Sequence, residues 1–335
     1  MVSEPLLSIR NLRVQLSTDR GLVHAVDLSH LTVGRGETCG LVGETGCGKT
    51  MTGLSILGLL PTSAPGTVEG EIWFRGRDLL KRGPAEMRRI RGREISMIFQ
   101  DPVSSLNPAF TVGEQLARVI RWHRRVGSRA ARQAALDMCS LVRLPDPEQV
   151  LRRYPHQLSG GMCQRIGIAI ALALRPHLLI ADEPTTSLDV TIQAQILRLI
   201  ADLQDRLGTA VLLISHDLGV VAQVCDRVAV MYAGDVVEQG ATARVLARPL
   251  HPYTQGLLAS LPSRGASGRP LPAIPGTVPS LIHPPPGCRF HPRCSLAAPR
   301  CSRERPRPRA VGPEQEVACH ARGPHEGGDR PDASG

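Results

Sequence analysis

A chain of 335 residues, 42% of them hydrophobic, has enough apolar material for one large core, or for a domain of roughly 200–250 residues with an appendage. A formal charge of +10 admits a nucleic-acid partner, but Lys49 and Lys81 are the only lysines, and the arginines are spread along the chain without a basic helix or an aromatic-interleaved patch. No segment reaches the ~18 uninterrupted apolar residues of a membrane span, and residues 1–10 lack the basic start and apolar block of a secretory signal, so a cytoplasmic location is expected.

Residues 6–42 are predicted as short strands, turning at Asp19-Arg20-Gly21 and Gly34-Arg35-Gly36 and ending in an apolar run over 38–42. Next comes Gly43-Glu44-Thr45-Gly46-Cys47-Gly48-Lys49-Thr50, a glycine, four residues, then Gly-Lys-Thr. It lies between that strand and a helix predicted over 49–60, stopped by Pro61. Glycines at this spacing let backbone N–H groups turn inward around a phosphate, and the helix N-terminus adds a favourable dipole. Lys49 offers its charge to phosphate oxygens and the Thr50 hydroxyl offers a ligand to Mg²⁺. Residues 71–74 are predicted as one arm of a hairpin over Gly76-Arg77, and 95–99 as an apolar strand ending at Gln100. From Asp101 the pattern becomes helical and polar, broken at Pro102, Pro108, Gly127, Pro145 and Pro155, which marks a separate helical lobe over about 101–175.

Within that lobe, Leu158-Ser159-Gly160-Gly161-Met162-Cys163-Gln164-Arg165 opens an apolar helix with Ser159 as its N-cap. This is a second helix N-terminus suited to an anion. His177-Leu178-Leu179-Ile180-Ala181-Asp182-Glu183 is a buried strand ending in two carboxylates: Asp182 to hold the Mg²⁺ shell, and Glu183 to align and deprotonate a water. The helix predicted over 191–207 keeps Ile192, Ile196, Leu199, Ile200, Leu203 and Leu207 on one face. Apolar strands over 210–214 and 228–231 complete an alternation that implies a parallel sheet with covered faces. After Ala247 the composition turns to proline, glycine and arginine, and an organisational boundary is expected there.

In order and spacing these runs resemble the ATP-binding-cassette (ABC) family over about residues 6–240. The resemblance implies an α/β fold: a P-loop NTPase core with a mostly parallel sheet, an N-terminal antiparallel β subdomain, an inserted α-helical lobe and a cysteine-containing C-terminal extension. The nucleotide-binding domain would span 1–247 and the extension 248–335. It also implies that each ATP sits between the cradle of one subunit and the Leu-Ser-Gly-Gly run of another, so Ser159, Gly160, Gly161 and Gln164 join the cradle as nucleotide-binding residues. Gln100 matches the glutamine that reaches Mg²⁺ and the attacking water, Ser187-Leu188-Asp189 the loop that touches the partner, and His216 the histidine at the γ-phosphate. Each also has a plainer reading, as a turn residue, a helix N-cap and a strand-end histidine. One departure concerns adenine. Residues 14–24 hold no aromatic ring to stack on the base, and Leu16 or His24 would have to substitute.

Gln100-Asp101-Pro102, Ser105-Leu106-Asn107-Pro108, Asp182-Glu183-Pro184-Thr185-Thr186, Asp189-Val190-Thr191-Ile192-Gln193-Ala194-Gln195, His216-Asp217-Leu218-Gly219-Val220-Val221-Ala222 and His251-Pro252-Tyr253-Thr254 look like the ATPase subunits of bacterial dipeptide and oligopeptide importers. Nickel importers share these runs. The implied activity is MgATP hydrolysis coupled to solute uptake through an integral membrane permease. Implied partners are a second ABC ATPase, self or paralogue, placed head to tail, and indirectly an extracytoplasmic solute-binding protein, with no nucleic acid. The implied location is peripheral, on the cytoplasmic face of the plasma membrane. Chromosome-maintenance cassettes insert a long coiled coil between cradle and signature and translation cassettes carry two cassettes per chain; this sequence has neither feature.

Nine cysteines in a chain of this kind argue against a disulfide framework. Cys288, Cys294, Cys301 and Cys319, separated by five, six and seventeen residues, fall in a segment too poor in apolar residues to fold unaided, and four thiolates around a metal would staple it. The spacing is not that of a common zinc ribbon or a bacterial ferredoxin. The family resemblance associates the set with a [4Fe-4S] cluster; zinc and plain thiols remain alternatives, with His291 and His320 nearby. Cys39, Cys139, Cys163 and Cys225 are expected as small core or helix residues. Cys47 lies in the cradle, where a bound nucleotide is expected to shield it from alkylation.

Overall fold

The computed structural model describes residues 4–61, 64–186, 188–261, 273–312 and 314–322. Two long strands, β1 (Leu7–Thr18) and β2 (Gly21–Val33), pair antiparallel across a tight turn. β1 buries Leu7 and Ile9, then Leu12, Val14 and Leu16. Asn11, at φ 46, is the extra residue where the register shifts, which keeps the apolar set on one face. β3 (Thr38–Val42) is buried throughout and leads through the glycine loop into α1 (Lys49–Leu57). That helix stops three residues short of the predicted end, because Gly58 turns to φ 60 and caps it before Pro61 is reached. β4 (Gly66–Phe74) and β5 (Arg77–Asp78) complete a four-stranded antiparallel sheet in the order β2-β1-β4-β5. The predicted hairpin arm is therefore the end of a longer strand.

After α2 (Pro84–Ile90) and β6 (Ile95–Ile98) comes the helical lobe: α3 (Val112–Arg124), α4 (Ser128–Leu141), α5 (Pro147–Leu151) and α6 (Gly160–Leu172). α3 starts in a capping box, in which the Glu114 N–H donates to the Thr111 hydroxyl and the Thr111 N–H donates to the Glu114 carboxylate. The lobe is polar outside only. Val112, Leu116, Ile120, Ala131, Ala135 and Cys139 face inward and belong to the same apolar core as β7 (Leu178–Asp182) of the main sheet.

Beyond β7 the chain runs through α7 (Val190–Leu207), β8 (Ala210–Ser215), α8 (Leu218–Val224), β9 (Arg227–Tyr232) and β10 (Asp235–Ala241). It continues through α9 (Thr242–Ala247) and α10 (Pro252–Ala259) to β11 (Arg309–Ala310) and β12 (Gln315–Val317). The large sheet has the order β11-β12-β10-β9-β3-β8-β7-β6, parallel from β9 to β6 and antiparallel beyond β9. Its central strands β3, β7 and β8 are apolar runs with every residue buried, as a doubly covered parallel sheet requires. Register sets the site: Val42 pairs with Ser215, Asp182 with Ile214 and Ile98 with Ala181. The glycine loop, Asp182-Glu183, His216 and Gln100 therefore all leave the sheet at one level. Among the described residues no helix is long and apolar enough to cross a membrane.

β10 was not foreseen, because its middle carries Glu238 and Gln239; both are buried. Glu238 has its donors, accepting the backbone N–H groups of Leu250 and His251 and the Gln315 amide. These bonds, with the β10–β12 pairing, seal the extension onto the sheet across residue 247. His251 is 1% exposed and its Nδ1 accepts from the Tyr253 N–H, so burial depresses its pKa from 6.5 to about 3. The unfolded chain takes up this proton near 6.5 and the folded chain does not until about 3. Stability tied to His251 is therefore whole above pH 6.5 and is lost as the pH falls through that window, by about 2 kcal/mol at pH 5. His251→Asn should flatten the pH dependence of thermal unfolding between pH 7 and 5; an unchanged slope would assign that dependence to other groups.

Candidate active site

Two glycines of the 43–50 loop are required sterically. A Cβ on Gly43 would lie 2.1 Å from the Met231 carbonyl oxygen of neighbouring β9, and one on Gly48, at φ 106, would lie 2.4 Å from the Ala25 carbonyl oxygen. The loop folds over Lys49, which is 5% exposed and donates through Nζ to the carbonyls of Gly43 (2.7 Å) and Glu44 (3.0 Å). Thr45 and Gly46 form the exposed rim. Cys47 is fully buried beside Lys49, and burial raises its thiol pKa. The expected shielding by nucleotide thus has little to act on: alkylation should be slow with or without ATP. Fast labelling that ATP suppresses would show that the loop opens.

At the tip of β7 the Thr50 hydroxyl donates to Asp182 Oδ1 at 3.1 Å, pairing the two predicted Mg²⁺ ligands. Burial lifts Asp182 above the ordinary carboxylate range; the Glu183 charge adds to this, and the Thr50 bond and Lys49 only partly offset it. Glu183 sits at φ 45, a left-handed turn that swings its side chain out of the strand. Three groups converge on its carboxylate: Gln100 Nε2 (3.0 Å), His216 Nδ1 (3.1 Å) and the Thr186 hydroxyl (2.8 Å). Burial alone would raise Glu183, but Thr186, His216 and Lys49 together outweigh it and hold the carboxyl below its usual value. Gln100, His216, Asp182 and Glu183, drawn from three strand ends, thus form one cluster with Thr50, and the clustered hydroxyl and carboxylate oxygens are the hard donors that Mg²⁺ prefers.

The helix start at 159–161 is placed elsewhere in the chain. The Ser159 hydroxyl caps α6 by accepting from the Met162 N–H, and Gly160 and Gly161 lie against Leu188 and Ile192 at the head of α7. Among the described residues no hydrogen bond links Ser159, Gly160 or Gly161 to the glycine loop. Gln164, predicted to touch nucleotide, is 1% exposed and donates instead to the Pro184 carbonyl (2.6 Å), tying α6 to the segment after Glu183. Asp189 occupies the N-cap position of α7 without a capping bond from its side chain. Ser187 lies outside the described residues. Leu16 is buried, and His24 Nδ1 is engaged by the Gln15 amide.

The sequence did not single out Thr186, whose hydroxyl sits on Glu183, or Tyr253 and Arg293, which reach the glycine loop from the extension. Thr186 lies three residues beyond the carboxylate and Tyr253 stands in the His251-Pro252-Tyr253-Thr254 run, so both were within reach of the sequence, whereas Arg293 carries no local signal. The tail cysteines share one neighbourhood. Burial pushes the Cys288 thiol up to about 11, opposed by the Phe290 N–H and reinforced by Cys301, Cys319 and Cys294. Burial likewise raises the thiols of Cys294 and Cys319. Yet among the described residues no three Cys, His, Asp or Glu side chains converge as ligands of one metal ion, so the expected cage is not formed. His291 Nδ1 and His320 Nε2 lie instead against the Cys288 and Glu304 carbonyls.

Residues 26–186 match the family model described as ABC transporter, and residues 237–301 that of the oligopeptide/dipeptide transporter C-terminal region. Similar chains include a probable peptide ABC transporter ATP-binding protein of Sinorhizobium fredii, 52% identical over 94% of each chain. The dipeptide transport ATP-binding protein DppD of Bacillus subtilis is 51% identical over 90% of each. Among solved structures, a dimeric ATP-binding cassette in a post-hydrolysis state bound to ADP and Pi superimposes with TM-score 0.62 at 26% identity, covering 70% of this chain and 98% of that one. The chain therefore belongs to the ABC transporter family, among the ATP-binding proteins that join the cassette to an oligopeptide/dipeptide transporter C-terminal region.

Proposed function

We propose that this chain hydrolyses MgATP bound between its own loop 43–50 and the 159–161 helix start of a second cassette, and that the cycle drives peptide uptake through a membrane permease. The observation that carries the reading is the convergence of Gln100, His216 and Thr186 on Glu183, next to the Thr50–Asp182 pair and Lys49. Loop N–H groups and Lys49 hold the β- and γ-phosphate oxygens. Thr50, Asp182 and Gln100 would hold Mg²⁺, which would neutralise phosphate charge. Glu183, kept ionised by Thr186, His216 and Lys49, takes a proton from the attacking water as the water oxygen bonds to γ-phosphorus, the bond from γ-phosphorus to the bridging oxygen breaks and ADP leaves with that electron pair. His216 senses the γ-phosphate, and Gln100 links the site to the helical lobe. Because Ser159, Gly160 and Gly161 lie apart from the loop, a second subunit, identical or paralogous, supplies the opposite wall, with Asp189 facing it. One chain alone is nearly idle.

Peptide as the solute rests on the C-terminal region and on the relatives. The chain then sits on the cytoplasmic face of the membrane, and a solute-binding protein outside selects the ligand. Affinity purification from membranes should bring down permease subunits; recovery of nucleic acid without membrane protein would overturn the reading. For the tail we propose a [4Fe-4S] cluster that would gather Cys288, Cys294, Cys301 and Cys319 only on binding, supported by the bond from the Cys288 N–H to the Cys301 carbonyl, which already holds two of the four segments together. Iron and sulfide should be found in anaerobically purified chain; zinc, or neither, would refute the cluster.

A further inference from the structure

Glu44, the second residue of the glycine loop, is held at three points. Its carboxylate takes two parallel bonds from the Arg293 guanidinium, Nη1 to Oε2 at 2.8 Å and Nη2 to Oε1 at 3.1 Å. Its N–H donates to the Tyr253 hydroxyl at 2.9 Å, and its carbonyl accepts from Lys49 Nζ at 3.0 Å. Two of these three anchors belong to the C-terminal extension. The third is the lysine that meets phosphate.

Arg293 is itself firmly placed. Its side chain is 5% exposed, Nε donates to the Pro275 carbonyl at 2.8 Å, and the guanidinium lies 5.8 Å from the centre of the Tyr232 ring. Tyr232 packs edge-on to Tyr253 and Phe290, with ring centres 4.6 and 5.1 Å away. The short helical turn that carries Arg293, His291–Arg293, lies between Cys288 and Cys294, and the Cys288 N–H is bonded to the Cys301 carbonyl. The fold of the cysteine segment therefore decides where the guanidinium sits. A half-buried, two-pronged arginine–carboxylate pair fixes orientation as well as distance, and lysine cannot reproduce it.

We propose that Arg293 is a positioning residue for nucleotide: through Glu44 the cysteine-bearing extension sets the shape of the 43–50 loop and the aim of Lys49, so the docked extension raises the affinity for MgATP. The proposal rests on the reading of 43–50 as the ATP cradle. It is tested on the full-length chain by titrating MgATP against a fluorescent ATP analogue, with ATPase kinetics of the assembled transporter alongside. Arg293→Lys and Glu44→Gln should each weaken MgATP binding about five- to tenfold, the size typical of coupling through a packed network. Arg293→Lys should raise KM while kcat stays within about twofold, a split that a mere loss of folded protein would not give. The double variant should be no worse than either single one, because each change breaks the same bond. Affinity within about twofold of the parent in both singles, or losses that multiply in the double, would overturn the proposal. Lys49→Ala separates the two levels: if it binds MgATP normally the cradle reading fails, whereas if it abolishes binding and Arg293→Lys changes nothing, only the positioning role fails.

Discussion

Replacing Glu183 with Gln is expected to lower kcat for ATP hydrolysis by about 10²- to 10⁴-fold, the usual worth of a positioned general base, while MgATP affinity stays close to that of the parent. The geometry supports this split. Glutamine keeps the size of the side chain and an oxygen for the Thr186 hydroxyl, so the wall of the site survives. What disappears is the charge that Thr186, His216 and Lys49 hold below the usual carboxylate pKa, and with it the acceptor for the proton from water. Single-turnover hydrolysis and equilibrium binding, measured on the same preparation, check both halves. A variant with near-normal turnover would move the base to another residue.

Lys49→Ala is expected to act on binding and chemistry together. Among the described residues Lys49 is the one cation bonded to the carbonyls of the loop itself, and it is almost fully buried. Its loss leaves the Gly43 and Glu44 carbonyls short of a donor, at a cost of about 1–3 kcal/mol in loop stability. It also removes a preorganised charge from the phosphate, worth about 10²–10³ in turnover. Hydrolysis should be undetectable against background, and MgATP titration should show at least a tenfold weaker Kd. A Kd equal to that of the parent would mean that the phosphates lie elsewhere.

The loop and the carboxylate strand were legible because their chemistry is local: a fixed spacing of glycines, a lysine and a hydroxyl between a strand and a helix, and an apolar run ending in Asp182-Glu183. Strand register did the rest, bringing Gln100 and His216 to the same level as Glu183. What stayed hidden depends on orientation or on distant partners. The left-handed turn at Glu183 is a backbone state that no residue type announces. Gln164 stands beside Ser159–Gly161 in sequence, but the turn of α6 points it inward to Pro184. Glu238 and Gln239 disguised β10, since two buried polar residues in a row break the apolar signature of a strand. Arg293 and Glu44 are 249 residues apart, and no periodicity or spacing joins an arginine near the tail cysteines to a glutamate in a phosphate loop.

The most direct measurement is ATP-dependent uptake of labelled di- and oligopeptides by proteoliposomes that contain the permease recovered with this chain, its partner ATPase and the matching solute-binding protein, comparing the parent chain with Glu183→Gln. The parent should accumulate peptide only when MgATP is supplied on the cytoplasmic side, and the variant should bind MgATP without accumulating peptide. Equal uptake by both would contradict hydrolysis at Glu183 as the driver of import, and MgATP turnover with no peptide moved by the parent would contradict peptide as its cargo.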